Sequence, residues 1–338
     1  MVPNNNSDFL QANNISKKIG NATVLYNISF SLKPFLKLAI AGETGSGKST
    51  LLKVIGGLVQ PDSGTVLFEG KKVKGPLDQL LPGHKSIGYV SQQFELRNNY
   101  RVEDELDCVN RLSAEEAQKI YTVCQITHLL KRRTDQLSGG ERQRIATARV
   151  LITAPKLLLL DEPFSNLDAS HKQTMKEVID AIANTLRITC ILISHDPQDV
   201  LSWADELIIL KEGTILQKAS PQEIYFSPAD MYAAALFGKY NIISASVLQQ
   251  SSALGFLKKD DKGCFIRPSQ IIISQEKENA VKTKVQSIQF FGNYFELVVA
   301  IENIFLTIHT PDTNVRKGDI AFIEIKTTSV HYLNEPVL

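Results

Sequence analysis

The segment at residues 42–50, Gly-Glu-Thr-Gly-Ser-Gly-Lys-Ser-Thr, constrains the fold more than any other part of this chain. It follows an apolar run at 36–41 and precedes a helix-like stretch at 51–58, which predicts a strand, a loop and a helix. The glycines let backbone N–H groups point inward, and the positive end of the helix completes a cradle for phosphate oxygens. Lys48 can then reach the β- and γ-phosphates, and Ser49 can ligate Mg²⁺. An ordinary glycine-rich turn is the alternative interpretation of this segment alone.

Length and charge set broad limits on the protein. At 338 residues the chain is long enough for two domains, and its 43% hydrophobic residues can bury a core. Lys plus Arg total 37 against 36 for Asp plus Glu, so no overall basic field attracts nucleic acid or anionic lipid. A local basic patch stays open.

The chain carries no pattern that predicts a signal peptide or a membrane span. Its first residues are polar, and no run approaches the roughly 20 apolar residues that cross a bilayer. We therefore expect any membrane role to come through a partner. Four scattered cysteines, Cys108, Cys124, Cys190 and Cys264, argue against a zinc site or a disulfide framework and favour inert thiols in a reducing cytosol.

The N-terminal two thirds of the chain alternate between strand and helix patterns. Residues 27–33 alternate as a half-buried strand, and residues 64–70 form a second candidate, which together predict an antiparallel β layer. A strand at 87–91 precedes a small helical insertion at about 94–137. The four-leucine run at 157–160 is typical of a buried parallel strand, and a helix is predicted at 170–186 with a further buried strand at 188–193. Ligands bind at the carboxyl ends of such parallel strands.

The C-terminal third of the chain has a different pattern. After a strand at 207–210 and a turn at 211–213, we expect helical segments up to about residue 238. Short alternating segments with turn pairs follow at 264–273, 281–291, 294–301, 304–308 and 320–325. They predict a separate all-β domain of about 100 residues, a small barrel or sandwich.

Two further segments carry candidate chemistry. Asp161 and Glu162 are adjacent carboxylates at the tip of a buried strand, where the first can hold Mg²⁺ through water and the second can face an attacking water. A solvated acidic turn is the alternative. Ser138 can cap the helix that follows Leu137-Ser-Gly-Gly-Glu, and its two glycines leave N–H groups open at a second phosphate site. A plain capped helix would look similar.

With these motifs, the chain resembles the ATP-binding subunit of ABC transporters over essentially its full length. The matching motifs occur in the family's order: Walker A at 42–50, the Q-loop at Gln92, the signature at 137–141, Walker B at 157–162, the D-loop at 165–168 and the H-loop at His195. The signature, here Leu-Ser-Gly-Gly-Glu, is the most specific of them. The resemblance implies a P-loop NTPase (RecA-like) core of α/β class with an antiparallel β subdomain and a helical insertion, within residues 1–239, followed by an OB- or TOBE-like β domain at 240–338.

The resemblance also implies a role for each motif residue. Glu162 would be the general base and His195 the γ-phosphate sensor, while Ser49, Gln92 and Asp161 would surround Mg²⁺. The implied nucleotide-binding residues are Gly42, Glu43, Thr44, Gly45, Ser46, Gly47, Lys48, Ser49, Thr50, Ser138, Gly139, Gly140 and Asp168. Ser138, Gly139 and Gly140 would contact ATP bound to the other subunit of a homodimer, because hydrolysis needs charge stabilisation on both sides of the γ-phosphate.

The sequence departs from the family at the residue that usually stacks on adenine. Ile19 stands where an aromatic residue is usual, so stacking is weak or comes from elsewhere, with Tyr26 as a candidate. The β domain is similar to the TOBE-type appendage of importer subunits for sugars, polyamines, iron(III) or oxyanions. Its implied role is either a dimer contact or regulatory ligand binding.

Three functional hypotheses follow. The first is a transport-coupled ATPase subunit of an importer, peripheral on the cytoplasmic face of the plasma membrane, with two permease subunits whose coupling helices dock near residues 92–101, and an extracytoplasmic solute-binding protein. The second is a soluble ABC ATPase acting on nucleic acid or the ribosome, which the balanced charge and the single cassette disfavour. The third is a ligand-sensing module whose β domain binds an oxyanion. We expect no nucleic-acid partner, and the sequence does not identify the transported solute.

Overall fold

A six-stranded sheet lies at the centre of the first part of the chain. In the computed structural model, which describes residues 9–93, 96–274 and 280–333, its strand order is β10-β9-β3-β8-β7-β6. The strands are β3 (Lys37–Ala41), β6 (Ile87–Val90), β7 (Leu157–Asp161), β8 (Thr189–Ile193), β9 (Glu206–Lys211) and β10 (Thr214–Ala219). All neighbours pair in parallel except β9 and β10. Every residue of β7 and β8 is buried, as the apolar runs predicted.

The predicted antiparallel β layer is confirmed. It is a four-stranded sheet in the order β2-β1-β4-β5. Its strands are β1 (Leu10–Ile19), β2 (Ala22–Leu32), β4 (Ser63–Phe68) and β5 (Lys71–Lys72). Ile28, Phe30 and Leu32 are buried on one side of β2, as their alternation predicted. The two sheets share one hydrophobic core with the helix that follows the glycine-rich loop.

Six α-helices lie among the described residues of this part of the chain. They are α1 (Lys48–Ile55), α2 (Val102–Asp107), α3 (Ala114–Val123), α4 (Gly139–Leu151), α5 (Ala169–Thr185) and α6 (Pro197–Leu201). The predicted helical insertion at 94–137 consists of α2, α3 and two short 3₁₀ turns, with Phe94 and Glu95 outside the described residues. On α5, Met175, Val178, Ile179 and Ile182 are buried, as predicted for one apolar stripe.

One prediction about this part of the chain is wrong. Residues that follow the turn at 211–213 were expected to continue in a helical pattern, but Thr214–Ala219 is strand β10, paired antiparallel with β9. Glu212 and Gly213 have φ values of 47° and 75°, which suit the two central residues of a tight β-hairpin turn. Strand β10 lies at the edge of the sheet and its residues are mostly half-exposed. Its sequence therefore lacks the alternation of apolar and polar residues that indicates a strand.

The chain divides into two compact units, Met1–Pro221 and Gln222–Leu338. The second unit has its own hydrophobic core. It contains a five-stranded antiparallel sheet in the order β13-β17-β14-β15-β16 and a three-stranded sheet in the order β11-β12-β18. The strands are β11 (Asn241–Ile243), β12 (Gly263–Ile266), β13 (Ile271–Ser274), β14 (Val281–Phe290), β15 (Phe295–Ile301), β16 (Ile304–Thr310), β17 (Ile320–Ile325) and β18 (His331–Leu333). The segment predicted at 264–273 is broken into two strands by a 3₁₀ turn that begins at Pro268.

The short α-helices that accompany these sheets in the described residues are α7 (Pro221–Phe226), α8 (Met231–Leu236) and α9 (Ala245–Gln250). Arg267, which is fully buried, donates hydrogen bonds to the carbonyls of Tyr225, Gly238 and Lys239, near the C-terminal ends of α7 and α8. Burial lowers its pKa to about 10. The negative ends of the two helices thus help to compensate the guanidinium charge. The domain limits of 1–239 and 240–338 stay a prediction.

Candidate active site

The glycine-rich loop joins β3 to α1, as the sequence predicted. Gly47 has a φ of 101° and precedes α1 directly, and a Cβ atom there would lie 2.6 Å from the carbonyl oxygen of Val24. Only glycine suits this left-handed position against the backbone of β2. Within the loop Glu43, Thr44 and Gly45 are exposed, Gly42 and Ser46 are buried, and Ser49 and Thr50 are half-buried. The loop therefore offers both open backbone and the side chains at the start of α1 to an anion.

Lys48 lies inside this loop with only 6% of its surface exposed. Its ammonium donates hydrogen bonds to the carbonyls of Gly42 and Glu43, at 2.8 and 2.7 Å. Burial lowers the pKa of Lys48, and the carboxylates of Glu162 and Asp161 oppose that shift. These two carboxylates thus stabilise the charged ammonium of Lys48, which lies where phosphate oxygens would be held.

Asp161 ends β7 and is 5% exposed. Its Oδ1 accepts a hydrogen bond of 2.8 Å from the Ser49 hydroxyl, and its Oδ2 accepts one of 2.7 Å from the hydroxyl of Tyr89. Burial and this hydrogen bond raise the pKa of Tyr89, so the phenol stays protonated and donates. The resemblance implied that Ser49 and Asp161 both surround Mg²⁺, and the structure brings these two side chains together. Tyr89, which reaches the site from the neighbouring strand β6, was not predicted.

Glu162 follows β7 with a φ of 50°, an uncommon left-handed conformation for a residue with a side chain. Such strain is found mostly at functional positions. Its Oε2 lies 3.4 Å from Nε2 of Gln92 and 3.3 Å from Nδ1 of His195. The structure thus brings together the three side chains that were predicted as base, metal ligand and γ-phosphate sensor.

A cavity of about 370 Å³ opens beside these three side chains. The segment that follows β8 forms part of it and is fixed from α5, where Lys172 forms ion pairs with Asp196 and Asp199. Burial alone would raise the pKa of Asp196, but the hydrogen bonds from Lys172 and a backbone N–H outweigh it and lower that pKa. His195, with 65% of its side chain exposed, therefore projects from a segment held in place on one side.

The signature segment begins α4, as predicted. Ser138 Oγ accepts a hydrogen bond from Glu141 N, and the Glu141 carboxylate accepts one from Ser138 N, so the two form a capping box. Gly139 is exposed, whereas a Cβ on Gly140 would lie 2.6 Å from the ring of His171 on α5. The second glycine thus permits close packing of α4 against α5.

Asp168, the last D-loop residue, caps α5. Its carboxylate accepts hydrogen bonds from the backbone N–H of His171 and from Ser170, and it lies 2.7 Å from the His171 ring. These hydrogen bonds lower the pKa of Asp168, and the largest effect comes from the backbone N–H of His171. His171 therefore contacts both the D-loop and the signature motif, a link that the sequence analysis missed.

The candidates for adenine contact and the four cysteines differ in their exposure to solvent. Ile19 and Tyr26, the two candidates for adenine contact, are 58% and 63% exposed on the strands β1 and β2. Burial raises the pKa of Cys124, Cys190 and Cys264 to about 12, which makes these thiols unreactive at neutral pH, while Cys108 is exposed.

Two absences concern only the part of the chain that the structure describes. There, no group of three or more His, Cys, Asp and Glu side chains is arranged to hold a metal ion. Across residues 9–93, 96–274 and 280–333, no helix is long and apolar enough to cross a bilayer.

Comparison with known proteins agrees with this geometry. A family model described as ABC transporter matches residues 25–165. The sulfate/thiosulfate import ATP-binding protein CysA of Mesostigma viride is 37% identical over 316 residues, covering 88% of both chains. The spermidine/putrescine import ATP-binding protein PotA of Clostridium acetobutylicum is 30% identical over 345 residues, covering 96% of both.

Solved structures show the same cassette fold. CbiO1 from Clostridium perfringens, described as part of the ABC transporter complex cbiONQ, superposes with a TM-score of 0.57 at 28% identity, covering 64% of this chain and 90% of that one. The ATP-binding cassette MJ0796, in a dimeric post-hydrolysis state bound to ADP and Pi, gives a TM-score of 0.55 at 25% identity, covering 63% and 98%. The chain therefore belongs to the ABC transporter family, as an ATP-hydrolysing subunit of the importer type.

Proposed function

We propose that this chain hydrolyses ATP in a homodimer and couples each cycle to solute uptake through separate membrane subunits. One observation carries the proposal: the Glu162 carboxylate lies within 3.4 Å of Gln92 and His195 and next to the paired Asp161 and Ser49. Glu162 takes the proton of the attacking water, and His195 donates a hydrogen bond to the γ-phosphate. Lys48 and the loop N–H groups hold the phosphates.

The side chains at this site suit Mg²⁺. The Ser49 hydroxyl, the Asp161 carboxylate and the Gln92 amide offer oxygen donors, which a hard cation prefers, and Ser49 Oγ and Asp161 Oδ1 are 2.8 Å apart. A complete cage is not needed, because phosphate oxygens and water fill the remaining positions. When bound, Mg²⁺ neutralises charge on the transferred phosphoryl group.

The dimer follows from the chemistry of the reaction. The loop at 42–50 and Lys48 supply positive charge to one side of the triphosphate only. The open N-terminus of α4, with Ser138 capping it and Gly139 exposed, supplies a second phosphate site of the same kind. We infer that Ser138, Gly139 and Gly140 of one copy complete the site formed by the other copy, with Asp168 adjacent.

The membrane partner has a suitable surface to bind. An open groove of about 1110 Å³ lies beside β6, and its apolar lining residues include Leu58, Tyr89, Leu80 and Leu81. The cationic residues that line the groove are Lys71, Lys72, Lys74, Lys85 and Arg111. We infer that it receives a short amphipathic helix of a membrane subunit whose polar side bears carboxylates.

The groove adjoins the region predicted for docking. Most of its lining residues lie within 79–89, directly before the predicted segment at 92–101. Leu77, Leu80 and Leu81 around it are 84%, 101% and 83% exposed, an apolar patch that a partner would cover. We infer that the chain acts on the cytoplasmic face of the membrane, next to two permease subunits, and that a solute-binding protein acts on the other side.

The names of the relatives bear on the transported solute, whereas the TOBE-like resemblance bears on the role of the second unit. The relatives are named for sulfate, spermidine and iron(III), so similarity to this subunit does not select a cargo. We propose that the second unit, including the TOBE-like residues 240–338, mainly forms a contact within the dimer. Calorimetry with molybdate and sulfate on the full chain tests the alternative, regulatory binding of an oxyanion.

Replacement of the proposed base tests the function. We expect E162Q to bind ATP normally but to lose hydrolysis by roughly two orders of magnitude or more, because the amide cannot accept the proton of water. Turnover of ATP and equilibrium ATP binding would be measured together, with the exposed Glu177 on α5 changed to Gln as a matched control. Near-normal turnover of E162Q would exclude Glu162 as the base.

A further inference from the structure

One buried carboxylate lies apart from the ATP site. Glu105 on α2 is 0% exposed, and its Oε2 accepts a hydrogen bond of 2.6 Å from Nε of Arg97. On its other side, Nε of Arg149 lies 3.1 Å from Oε1, as an ion pair that is not aligned as a hydrogen bond. The two arginine side chains are 43% and 35% exposed. A single buried acid therefore joins two guanidinium groups that extend towards water.

The two arginines belong to the segments that carry two of the proposed active-site motifs. Arg97 follows the Q-loop residue Gln92 by five positions, and its carbonyl accepts a hydrogen bond of 2.7 Å from the buried Thr134. Thr134 stands four positions before Ser138. Arg149 lies in the last turn of α4, which begins directly after Ser138. The carboxylate thus connects the chain after the Q-loop to the helix that starts with the signature.

Stability alone is a weak reason for such an arrangement. Desolvation of a buried ion pair offsets most of its attraction, and well-packed apolar side chains stabilise a fold as well or better. A buried carboxylate with a guanidinium on each side instead fixes geometry, which is the best-attested use of buried ionic groups. The α4 helix is continuous over 13 residues, about 20 Å, so an orientation set at Arg149 is passed to its N-terminus.

We propose that Glu105 is a positioning residue that holds the signature helix at a fixed place relative to Arg97, in the stretch that the structure describes from residue 96 onward. This proposal rests on the proposed function, in which Gln92 acts on the nucleotide of its own copy and the signature acts on that of the other. Loss of Glu105 removes the carboxylate that joins Arg97 to Arg149, so that α4 is held less firmly in register. ATP would still bind to the loop at 42–50, but the second side of the site would form poorly.

The test separates binding of ATP from completion of the site. We expect E105Q in the full chain to lower kcat roughly 10-fold, the order that substitutions along coupled networks produce, with KM for ATP changed less than about 2-fold. In the E162Q background, E105Q should raise the ATP concentration that drives dimerisation roughly 10-fold, while ATP binding to the monomer is unchanged. E103Q, the same substitution on the same helix, is the control and should match its parent.

Arginine variants keep the test decisive if E105Q does not fold. R97K and R149K retain the charge but lose the Nε contacts, and each should lower kcat without lowering ATP affinity. The double variant R97K/E105Q should be no slower than E105Q, because the same link is already broken. Normal kcat in both lysine variants, or a loss in E105Q that appears only in thermal stability, would overturn the proposal. If the E162Q variant with Glu105 intact failed to dimerise with ATP, the proposed dimer would be wrong instead.

Discussion

At the scale of single residues, the adjacent carboxylates Asp161 and Glu162 show why neighbours in sequence can take different roles. Asp161 ends a buried strand and meets Ser49 and Tyr89, whereas Glu162 turns into the left-handed region and meets Gln92 and His195. The sequence predicted both carboxylates, because a strand-end acid pair behind a glycine-rich loop is a recognisable pattern. It did not predict Tyr89, because its contact depends on the pairing of β6 with β7, which no local pattern reveals.

The hydroxyl of Tyr89 should matter for metal use. We expect Y89F to raise the Mg²⁺ concentration for half-maximal ATP hydrolysis roughly 10-fold, because partners that orient a ligating carboxylate typically affect metal affinity by 10- to 100-fold. Hydrolysis measured against Mg²⁺ at saturating ATP would show the shift. Y294F in the second unit is a matched control. An unchanged Mg²⁺ dependence would mean that Asp161 is held adequately by Ser49 alone.

At the scale of elements, the start of α4 was predicted well, but its close contact with His171 on α5 was not. Ser138 and Glu141 stand at the spacing of a capping box, so the sequence alone locates the helix start. The packing of α4 on α5 brings His171 against Gly140, and contacts between helices distant in sequence leave no such local signal. Strand β10 was missed for a related reason, since its half-exposed side chains depend on pairing with β9.

The contact between these helices gives a stability prediction. G140A places a methyl group within 2.6 Å of the His171 ring, and overpacking of this kind costs about 1–3 kcal/mol. We expect the thermal midpoint of the first unit to fall by about 2–9 °C. The double variant G140A/H171A should regain most of that loss, because the ring that causes the clash is removed. Circular dichroism melts of the four proteins would check it, and additive losses would show that the methyl group meets something else.

At the scale of the whole molecule, a nucleotide site and an apolar patch occur in the same unit. The exposed leucines Leu77, Leu80 and Leu81 surround a groove lined by five cationic side chains, although the net charge of the chain is only +1. Composition therefore excluded a global basic field correctly but left this local one open. Its apolar part could not be predicted, because nothing in the loop sequence shows that three leucines stay uncovered.

The patch should matter for assembly and not for ATP binding. We expect the double variant L80E/L81E to lose co-purification with the membrane subunits of its transporter, because two carboxylates replace the apolar contact and oppose an acidic partner helix. Its ATP affinity should equal that of the unsubstituted chain. V247E, at a half-exposed position of the second unit, serves as control. Retention of the membrane subunits by L80E/L81E would place the docking surface elsewhere.

The loop at residues 76–82, which carries Leu77, Leu80 and Leu81, also affects how a cell must produce this protein. Copies synthesised in excess of their membrane subunits would display three uncovered leucines to every other chain in the compartment. Such orphan copies would associate with one another or be cleared by chaperones and proteases. Balanced synthesis of all subunits is therefore a requirement imposed by seven residues of loop, at positions 76–82.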